Sequence, residues 1–572
     1  MVIDGSLVIA PATAEAAVVV CHEGLSFWGG VDPETGRVID AHHDLKGTSL
    51  AGKIVLMPTS RGSCSGSGVL LQLALNGLAP AALVFREEEE VLTLGALIAS
   101  KMFGRTIGVA RLAAHDYEAL SRMPRALFDG NRISAKELSA EKLSGGGLSI
   151  DLLPVAAAGV SLEPQDKAVL EGAEGGPAAL AMEVICAMAA VQGASRLIDV
   201  SRGHIDGCIY AHEANLIFAE TMAKMGARVK IPTTINAISV DRENWTDGGL
   251  PLAFGRATSR LADSYVAMGA RPTFTCAPYL SDDVPGLGED IGWSESNAVI
   301  FANSVLGART AKHPDYLDLF IAMTGRAPES GVYLPRNRRP GISIQVDAPP
   351  GFDDAFWPLV GWTAGHLAPD RVPRLTGLEH TAPSRDDLRA LCAAFGTTSA
   401  APLLHVAGVT PEGDLAPLEG AGHAAITRAD LRDAWRALNS GPAQVDLIAL
   451  GSPHFSLEET SRFADLMGDG AVHPSVRAMI TLGRDIHAKA LAEGLVDRLQ
   501  RAGVAFHKDL CWCSIVEPIF PVAAKTVMTN SGKYAHYAPG LSGRNVRFGS
   551  LADCAAAAKS GRARAALPAW LV

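Results

Sequence analysis

The most informative segment of this chain is Arg61-Gly-Ser-Cys-Ser-Gly-Ser-Gly68, which lies between two apolar runs. Residues 53–57 before it are typical of a buried strand, and residues 69–75 after it predict a helix. A small glycine-rich turn between a strand and a helix leaves backbone N–H groups that can bind an anion. Arg61 adds a side chain that can bind a carboxylate through two parallel hydrogen bonds. Such turns are also common as plain connectors, so both interpretations stay open here.

The length and composition are typical of a globular protein with several domains. The 572 residues, 48% of them apolar, are too many for one hydrophobic core, so we expect two to four domains. The net charge of −11, with no long basic run, argues against general nucleic-acid binding. The chain has no run of eighteen apolar residues, and its first residues lack the pattern of a signal peptide. We therefore expect a cytoplasmic protein without a membrane span.

Secondary-structure signals divide the chain into two parts. Residues 1–135 alternate strand-like runs with short helices, which predicts a small β-rich domain. Residues 136–150 predict a linker. In residues 151–572, helix-like segments such as 178–191 alternate with strand-like segments such as 228–232. This alternation indicates an α/β fold with parallel strands, arranged as two to three lobes.

The nine cysteines are odd in number and irregularly spaced, so a disulfide framework is not expected. The sequence contains no Cys-x-x-Cys pair, the spacing typical of structural zinc sites, so it gives only weak support for such a site. Cys276 and the pair Cys511-Trp-Cys513 each follow a strand-like run. Because α/β folds bind ligands at strand ends, these cysteines are candidates for an iron–sulfur cluster. Buried, inert thiols are the alternative.

Six other polar side chains are candidates for substrate binding. Residues 292–310 predict a helix with a polar side, and a polar turn at residues 529–534 offers a cation. A capped helix with a polar face and a hydrogen-bonded structural histidine are the alternatives. The candidates are His204, Asp241, Asn303, Ser304, Arg309 and Lys533.

Several motifs resemble those of the aconitase X family, a branch of the aconitase superfamily of hydro-lyases. The resemblance covers nearly the whole chain and implies a swivel domain fused ahead of a large aconitase-like catalytic part. The motifs are Leu25-Ser-Phe-Trp-Gly-Gly-Val-Asp-Pro-Glu-Thr-Gly36, Arg61-Gly-Ser-Cys-Ser-Gly-Ser67, Pro232-Thr-Thr-Ile-Asn-Ala237, Thr273-Phe-Thr-Cys-Ala-Pro-Tyr279, Ser294-Glu-Ser-Asn-Ala298, Asn303-Ser-Val-Leu-Gly-Ala-Arg-Thr310, Ser452-Pro-His454 and Asp509-Leu-Cys511.

The resemblance implies a dehydratase that acts on a small hydroxy amino acid. Single-chain bacterial members resemble cis-3-hydroxy-L-proline dehydratases, and two-chain archaeal members resemble mevalonate 5-phosphate dehydratases. The fused arrangement favours the first activity, which would yield Δ1-pyrroline-2-carboxylate. The second activity is the alternative, and a non-enzymatic RNA-binding regulator is an alternative that the net charge opposes. The sequence does not indicate an oligomeric state.

The resemblance also implies roles for the candidate residues. Ser67 would be the base that removes the Cα proton, with Ser63 as the runner-up. His204 and Asp241 would orient the ring nitrogen or the hydroxyl. The substrate carboxylate would bind to one of three cations, namely Arg61, Lys533 or Arg309.

By the same resemblance, Cys276 and Cys511 would ligate the cluster. The two-chain members tend to have cysteine where this chain has Ser452, so Cys513 is the nearest third ligand. We favour a 2Fe–2S cluster, with 3Fe–4S and 4Fe–4S forms as alternatives.

Overall fold

The computed structural model describes residues 5–11, 13–40, 43–61, 64–135, 148–154, 159–246 and 248–572. The chain is a mixed α/β protein that divides into two compact units. The first unit comprises Met1–Asp199, His212–Lys230 and His313–Ser330, and the second comprises Val200–Ala211, Ile231–Lys312 and Gly331–Val572.

The first unit is built on a mixed sheet that has nine strands in the described part of the chain, in the order β10-β9-β8-β2-β5-β6-β7-β1-β11. Its central strands β2, β5, β6 and β7 run parallel to one another. These strands are β1 (Gly5–Ile9), β2 (Ala14–Val20), β5 (Ile54–Met57), β6 (Ala82–Phe85), β7 (Gly108–Leu112), β8 (Arg125–Asp129), β9 (Arg132–Ala135), β10 (Leu148–Asp151) and β11 (Leu153–Pro154). All residues of β5 and β6 are buried, as their uninterrupted apolar sequences require.

Two short antiparallel pairs and a set of helices complete this unit. The pairs join β3 (Val31–Asp32) to β4 (Arg37–Val38), and β12 (Leu197–Asp199) to β16 (Arg326–Pro328). The helices are α1 (Gly66–Leu75), α2 (Val91–Phe103), α3 (Ala114–Ser121), α4 (Pro164–Leu170), α5 (Gly176–Val191), α6 (Glu213–Lys224) and α9 (Leu317–Thr324). The predicted helix at residues 178–191 is confirmed.

The segment predicted as a linker, residues 136–150, includes the start of a strand. Residues 136–147 lie outside the described residues, but residues 148–150 belong to β10, which pairs antiparallel with β9. Leu148 packs against the core of the sheet and Ile150 is buried in it, so the alternation of apolar residues makes this segment an edge strand.

The second unit contains parallel sheets. In the described residues their orders are β14-β13-β15, β19-β18-β17-β20 and β23-β22-β21-β24-β25. The strands are β13 (Gly203–Ile205), β14 (Thr233–Ile235), β15 (Gly292–Trp293), β17 (Ile342–Val346), β18 (Pro373–Thr376), β19 (His405–Val406), β20 (Gly422–Ile426), β21 (Leu447–Leu450), β22 (Arg477–Leu482), β23 (Val504–Lys508), β24 (Thr526–Thr529) and β25 (Asn545–Phe548). The predicted α/β class with parallel strands is confirmed.

Helices alternate with these strands. They are α7 (Leu252–Ala267), α8 (Ser296–Phe301), α10 (Phe356–Leu367), α11 (Arg385–Thr398), α12 (Arg428–Ala437), α13 (Leu457–Met467), α14 (Arg484–Ala492), α15 (Leu495–Arg501), α16 (Gly532–Ser542) and α17 (Leu551–Ser560). The helix α13 begins after Ser456, whose hydroxyl accepts the backbone N–H of Glu459 at 3.0 Å in a capping box. None of the helices in the described ranges is long and apolar enough to cross a membrane.

Three local predictions in this part are wrong. Residues 228–232 do not form a strand; the strand β14 begins at Thr233, directly after Pro232, which has no N–H to donate to a ladder. Residues 273–275 also lie outside the strands, although Thr275 N–H donates to Ile235 at 3.2 Å. The predicted helix at residues 292–310 divides into β15, α8 and a π-helical turn at Ala302–Leu306.

Candidate active site

A group of three thiols lies in the second unit. Cys276, Cys511 and Cys513 cluster with Ala237, and only Cys513 is partly exposed. The thiol of Cys511 lies within hydrogen-bonding distance of both Cys276 and Cys513. The structure therefore brings together the three predicted metal ligands, which come from two segments separated by more than two hundred residues.

The backbone around these thiols is held by specific hydrogen bonds. The backbone N–H of His454 donates to Sγ of Cys276 at 3.3 Å, and that of Cys513 donates to Sγ of Cys511 at 3.5 Å. The Asn297 side chain donates to the Cys276 carbonyl at 3.1 Å. The hydrogen bond from Cys276, together with burial, raises the pKa of the Cys511 thiol, against the opposing hydrogen bond from Cys513. A bound metal ion would reverse this trend, because it stabilises thiolates.

A buried ion pair stands beside the thiols. Lys533, in the first turn of α16, donates from Nζ to Oε1 of Glu295 at 2.8 Å, and both side chains are about nine-tenths buried. Burial would raise the pKa of Glu295, but Lys533 and a hydrogen bond from Asn297 hold it below its usual value. Glu295 and the three thiols raise the pKa of Lys533 well above its usual range, although burial opposes this. Lys533 is therefore not the unpaired cation that the sequence suggested.

Replacing Lys533 by methionine is expected to destabilise the protein by about 3–5 kcal/mol, because it leaves the carboxylate of Glu295 buried without its cation. The measurement is the urea midpoint of the metal-free protein. Lys489→Met is the matched control, since Lys489 pairs with Asp282 at the surface and should cost less than about 1 kcal/mol. Equal midpoints for the two variants would contradict this prediction. Adding Glu295→Gln to Lys533→Met should recover part of the loss.

His204 lies in the middle of β13 and is fully buried. Its Nδ1 is 2.7 Å from the hydroxyl of Thr234 on the neighbouring strand. Its Nε2 is buried with no hydrogen-bond partner in the described residues. Burial lowers the pKa of His204 to about 4, partly offset by Glu295, so the ring is neutral near pH 7. A neutral imidazole with an unpaired nitrogen is suited to bind a polar group of a ligand.

Two of the other predicted substrate ligands, Asn303 and Ser304, have internal partners. Asn303 donates to the carbonyls of Thr310 and Pro402, both at 2.8 Å. The Ser304 hydroxyl accepts the backbone N–H of Leu404 at 3.0 Å. These two side chains therefore join the π-helical turn to its surroundings, which is a structural role.

Asp241 and Arg309 differ in how well their polar atoms are satisfied. Asp241 accepts the backbone N–H of Glu243 at 3.1 Å and the side chain of Asn244, so it stabilises a turn. Nε of Arg309 is buried and has no hydrogen-bond partner in the described part of the chain. Like Nε2 of His204, Nε of Arg309 is therefore a buried polar atom that a ligand could satisfy.

The predicted base, Ser67, lies in the first unit, inside the first turn of α1 rather than in the preceding turn. It is fully buried, and its hydroxyl lies 3.1 Å from the carbonyl of Cys64 and 3.3 Å from that of Asp315. Gly95 on α2 permits this packing, because a Cβ there would lie 2.7 Å from the Ser67 carbonyl oxygen. The runner-up Ser63 lies outside the described residues.

Arg61 at the start of the serine turn is paired with two carboxylates. It donates to Glu23 at 2.8 Å, and Asp40 lies at 3.5 Å. The Arg61 side chain is 45% exposed, so these pairs are weak enough to exchange with a ligand carboxylate.

Two threonines that contact buried histidines are not evident as site residues from the sequence. Thr234 contacts His204, and Thr275 contacts His454 at 3.1 Å. Both threonines lie in the motifs shared with the aconitase X family, but the sequence around a threonine does not indicate which side chain it contacts.

The parallel sheets and the N-terminal mixed sheet define an α/β protein, and its second unit contains three clustered thiols of a kind that can ligate a metal. The chain belongs to the aconitase X family. Family models match nearly its whole length: the aconitase X swivel domain at residues 3–135, the first domain at 159–336, the second at 340–436 and the third at 445–560. The predicted family is thus confirmed.

The chain is similar to dehydratases of two different names. The chain is 47% identical to the cis-3-hydroxy-L-proline dehydratase of Pseudomonas aeruginosa, across 100% of this chain and 98% of the relative. It is 44% identical to the enzyme of that name from Hypocrea jecorina, across 98% and 95%. It is 33% identical to the phosphomevalonate dehydratase large subunit of Methanothermobacter thermautotrophicus, across 67% of this chain and 95% of the relative.

A solved structure extends the likeness to the fold. The crystal structure of Thermococcus kodakaraensis aconitase X in its holo-form aligns with 70% of this chain and 100% of its own, with a TM-score of 0.63 and 28% identity. The aconitase X fold predicted for the chain is therefore confirmed.

Proposed function

We propose that this protein is a hydro-lyase that dehydrates cis-3-hydroxy-L-proline to Δ1-pyrroline-2-carboxylate. The observation that carries the proposal is the 47% identity to a dehydratase of that name over the full lengths of both chains. The relative named for phosphomevalonate dehydration matches at 33%, over only 67% of this chain. The substrate is accordingly a small molecule.

The thiol cluster fits an iron–sulfur cofactor. Thiolates are the ligands such clusters need, and Cys276, Cys511 and Cys513 supply three of them from a buried site. Lys533, although it is paired with Glu295, also interacts favourably with negative charge on these thiols. When bound, such a cluster supplies a Lewis acid that stabilises the departing hydroxide. The two-iron form and the role of Cys513 as the third ligand stay predictions.

Ser67 is the base in this proposal. Its place in the first turn of α1 favours a negative charge on its oxygen, because the N-terminus of a helix carries a partial positive charge. The hydroxyl proton lies near backbone carbonyls, 3.1 Å from that of Cys64 and 3.3 Å from that of Asp315. Ser67 takes the Cα proton as an alkoxide, and the hydroxide that leaves C3 takes that proton from Ser67 and departs as water, which restores the alkoxide.

His204 and Arg61 bind the substrate in this proposal. The unpaired Nε2 of neutral His204 contacts the hydroxyl or the ring nitrogen. Arg61 binds the carboxylate in exchange for Glu23 or Asp40. Arg309, whose Nε is buried without a partner in the described chain, is the second candidate for the carboxylate.

Three further predictions stay untested. These are the division into residues 1–135, 136–150 and 151–572, the cytoplasmic location, and the absence of a nucleic-acid partner. The net charge of −11 supports the last of them.

Protein purified without oxygen and reconstituted with iron and sulfide is expected to be brown and to convert cis-3-hydroxy-L-proline. The measurements are the visible spectrum, the iron and sulfide content, and the formation of pyrroline-2-carboxylate. The trans-3 isomer is the matched control substrate. Brown protein that converts mevalonate 5-phosphate and not the hydroxyproline would overturn the proposed substrate. Protein that takes up neither iron nor sulfide would overturn the cofactor.

A further inference from the structure

His454 connects the two segments that carry the proposed cluster ligands. Its ring Nε2 lies 2.8 Å from the carbonyl of Leu510, the residue before Cys511. Its ring Nδ1 lies 3.1 Å from the hydroxyl of Thr275, the residue before Cys276. One imidazole therefore spans the residues immediately before both cysteines, in addition to the backbone hydrogen bond from His454 to Cys276.

The partners fix which ring nitrogen carries the proton. A carbonyl oxygen can only accept, so Nε2 carries the hydrogen and donates it to Leu510. In the neutral ring Nδ1 is then an acceptor, and the Thr275 hydroxyl donates to it. The same Thr275 oxygen accepts the backbone N–H of Ala277 at 3.1 Å, which fixes the turn on the far side of Cys276. Each ring nitrogen thus has one directed bond to one cysteine segment.

His454 is itself held firmly. The side chain is fully buried, and the backbone carbonyl accepts a hydrogen bond from the buried guanidinium of Arg389. Arg389 is in turn paired with Glu459 on α13. The imidazole is therefore attached to a rigid part of the second unit and can transmit that rigidity to both segments.

We propose that His454 is a positioning residue that fixes the separation of Cys276 and Cys511 for metal binding. This role rests on the proposed function only in taking these two cysteines as ligands. Residues that orient metal ligands through a hydrogen bond typically change metal affinity by about 10–100-fold when they are removed. A histidine that merely filled space in the core would not alter thiolate ligation once the protein had folded.

The test titrates Co²⁺ alone into the metal-free protein and follows the cobalt–thiolate absorption band. His454→Ala, which loses both bonds, is expected to weaken Co²⁺ binding by about 10–100-fold. His454→Gln keeps a donor for Leu510 and is expected to recover part of the affinity. Thr275→Val, which breaks the other bond, is expected to show an intermediate loss. His405→Ala is the matched control, because His405 is also buried and its Nε2 lies 2.7 Å from the carbonyl of Arg338.

The outcomes separate this role from the proposed function. Unchanged Co²⁺ affinity in folded His454→Ala, or a loss equal to that of His405→Ala, overturns the role. If His454→Ala does not fold, the Co²⁺ affinity of Thr275→Val is compared with that of the wild type. Equal Co²⁺ affinities overturn the positioning role of His454. A wild type with no cobalt–thiolate band overturns both the ligand assignment and the role. A wild type that binds metal but does not convert cis-3-hydroxy-L-proline refutes the substrate alone and leaves the His454 comparison valid.

Discussion

Replacing Ser67 by alanine is expected to lower the turnover of cis-3-hydroxy-L-proline by about 10³-fold, in the range typical of a lost general base. The substitution removes one oxygen from a fully buried position, and alanine fits the same space. The hydroxyl's contacts with the carbonyls of Cys64 and Asp315 are lost, at a cost of about 1 kcal/mol each. The protein should therefore stay folded. The measurements are kcat from pyrroline-2-carboxylate formation and the visible spectrum of the cluster.

Ser65→Ala is the matched control for the same turn. Ser65 is the N-cap residue of α1 and has no proposed part in the reaction, so its replacement should leave kcat within a few-fold of the wild type. An unchanged cluster spectrum in Ser67→Ala would assign the loss to the serine itself. Turnover near the wild-type level in Ser67→Ala would refute its role as the base and direct attention to Ser63.

Local signals in the sequence predicted the elements that surround the serine turn. The strand β5 and the helix α1 follow from apolar runs that can only be buried, and the start of α13 follows from a capping box. The sequence does not place Ser67 within α1, because the Gly-Ser repeat is neutral between a loop and a first helical turn. Helix boundaries are set by the hydrogen bonds that actually form, and composition leaves these open by a few residues.

Contacts between distant segments account for what the sequence could not predict. Lys533 was predicted as a free cation, yet Glu295 neutralises it across 238 positions of the chain. Arg61 was predicted to bind the substrate carboxylate, yet it already forms ion pairs with Glu23 and Asp40. In each case the residue type indicated a cation, but the sequence did not identify its charge partner, because ion pairing depends on tertiary packing. The three thiols were placed together by the resemblance, since their spacing alone carries no signal of convergence.

Replacing Cys276 or Cys511 by alanine is expected to abolish both iron–sulfur absorbance and turnover. Each thiol lies in the buried cluster. Iron–sulfur clusters need thiolate ligands, and the neighbouring side chains are poor replacements for a lost thiolate. Alanine is preferred to serine because a serine oxygen can still bind iron. The measurements are iron and sulfide per chain after reconstitution, and kcat.

Cys392→Ala is the matched control for these substitutions, and Cys513→Ala tests the third ligand. Cys392 is also buried, but it lies on α11 and hydrogen-bonds with Ser304, so its loss should leave the cluster in place. A Cys392 variant without iron–sulfur absorbance would show that loss of colour does not identify a ligand, and the inference from Cys276 and Cys511 would fail.

Cys513→Ala tests whether Cys513 is the third ligand. Loss of colour equal to that of Cys511→Ala would make Cys513 a ligand, whereas retained colour would move that role to another group, for which the buried and unpaired hydroxyl of Ser452 is the first candidate in the described chain.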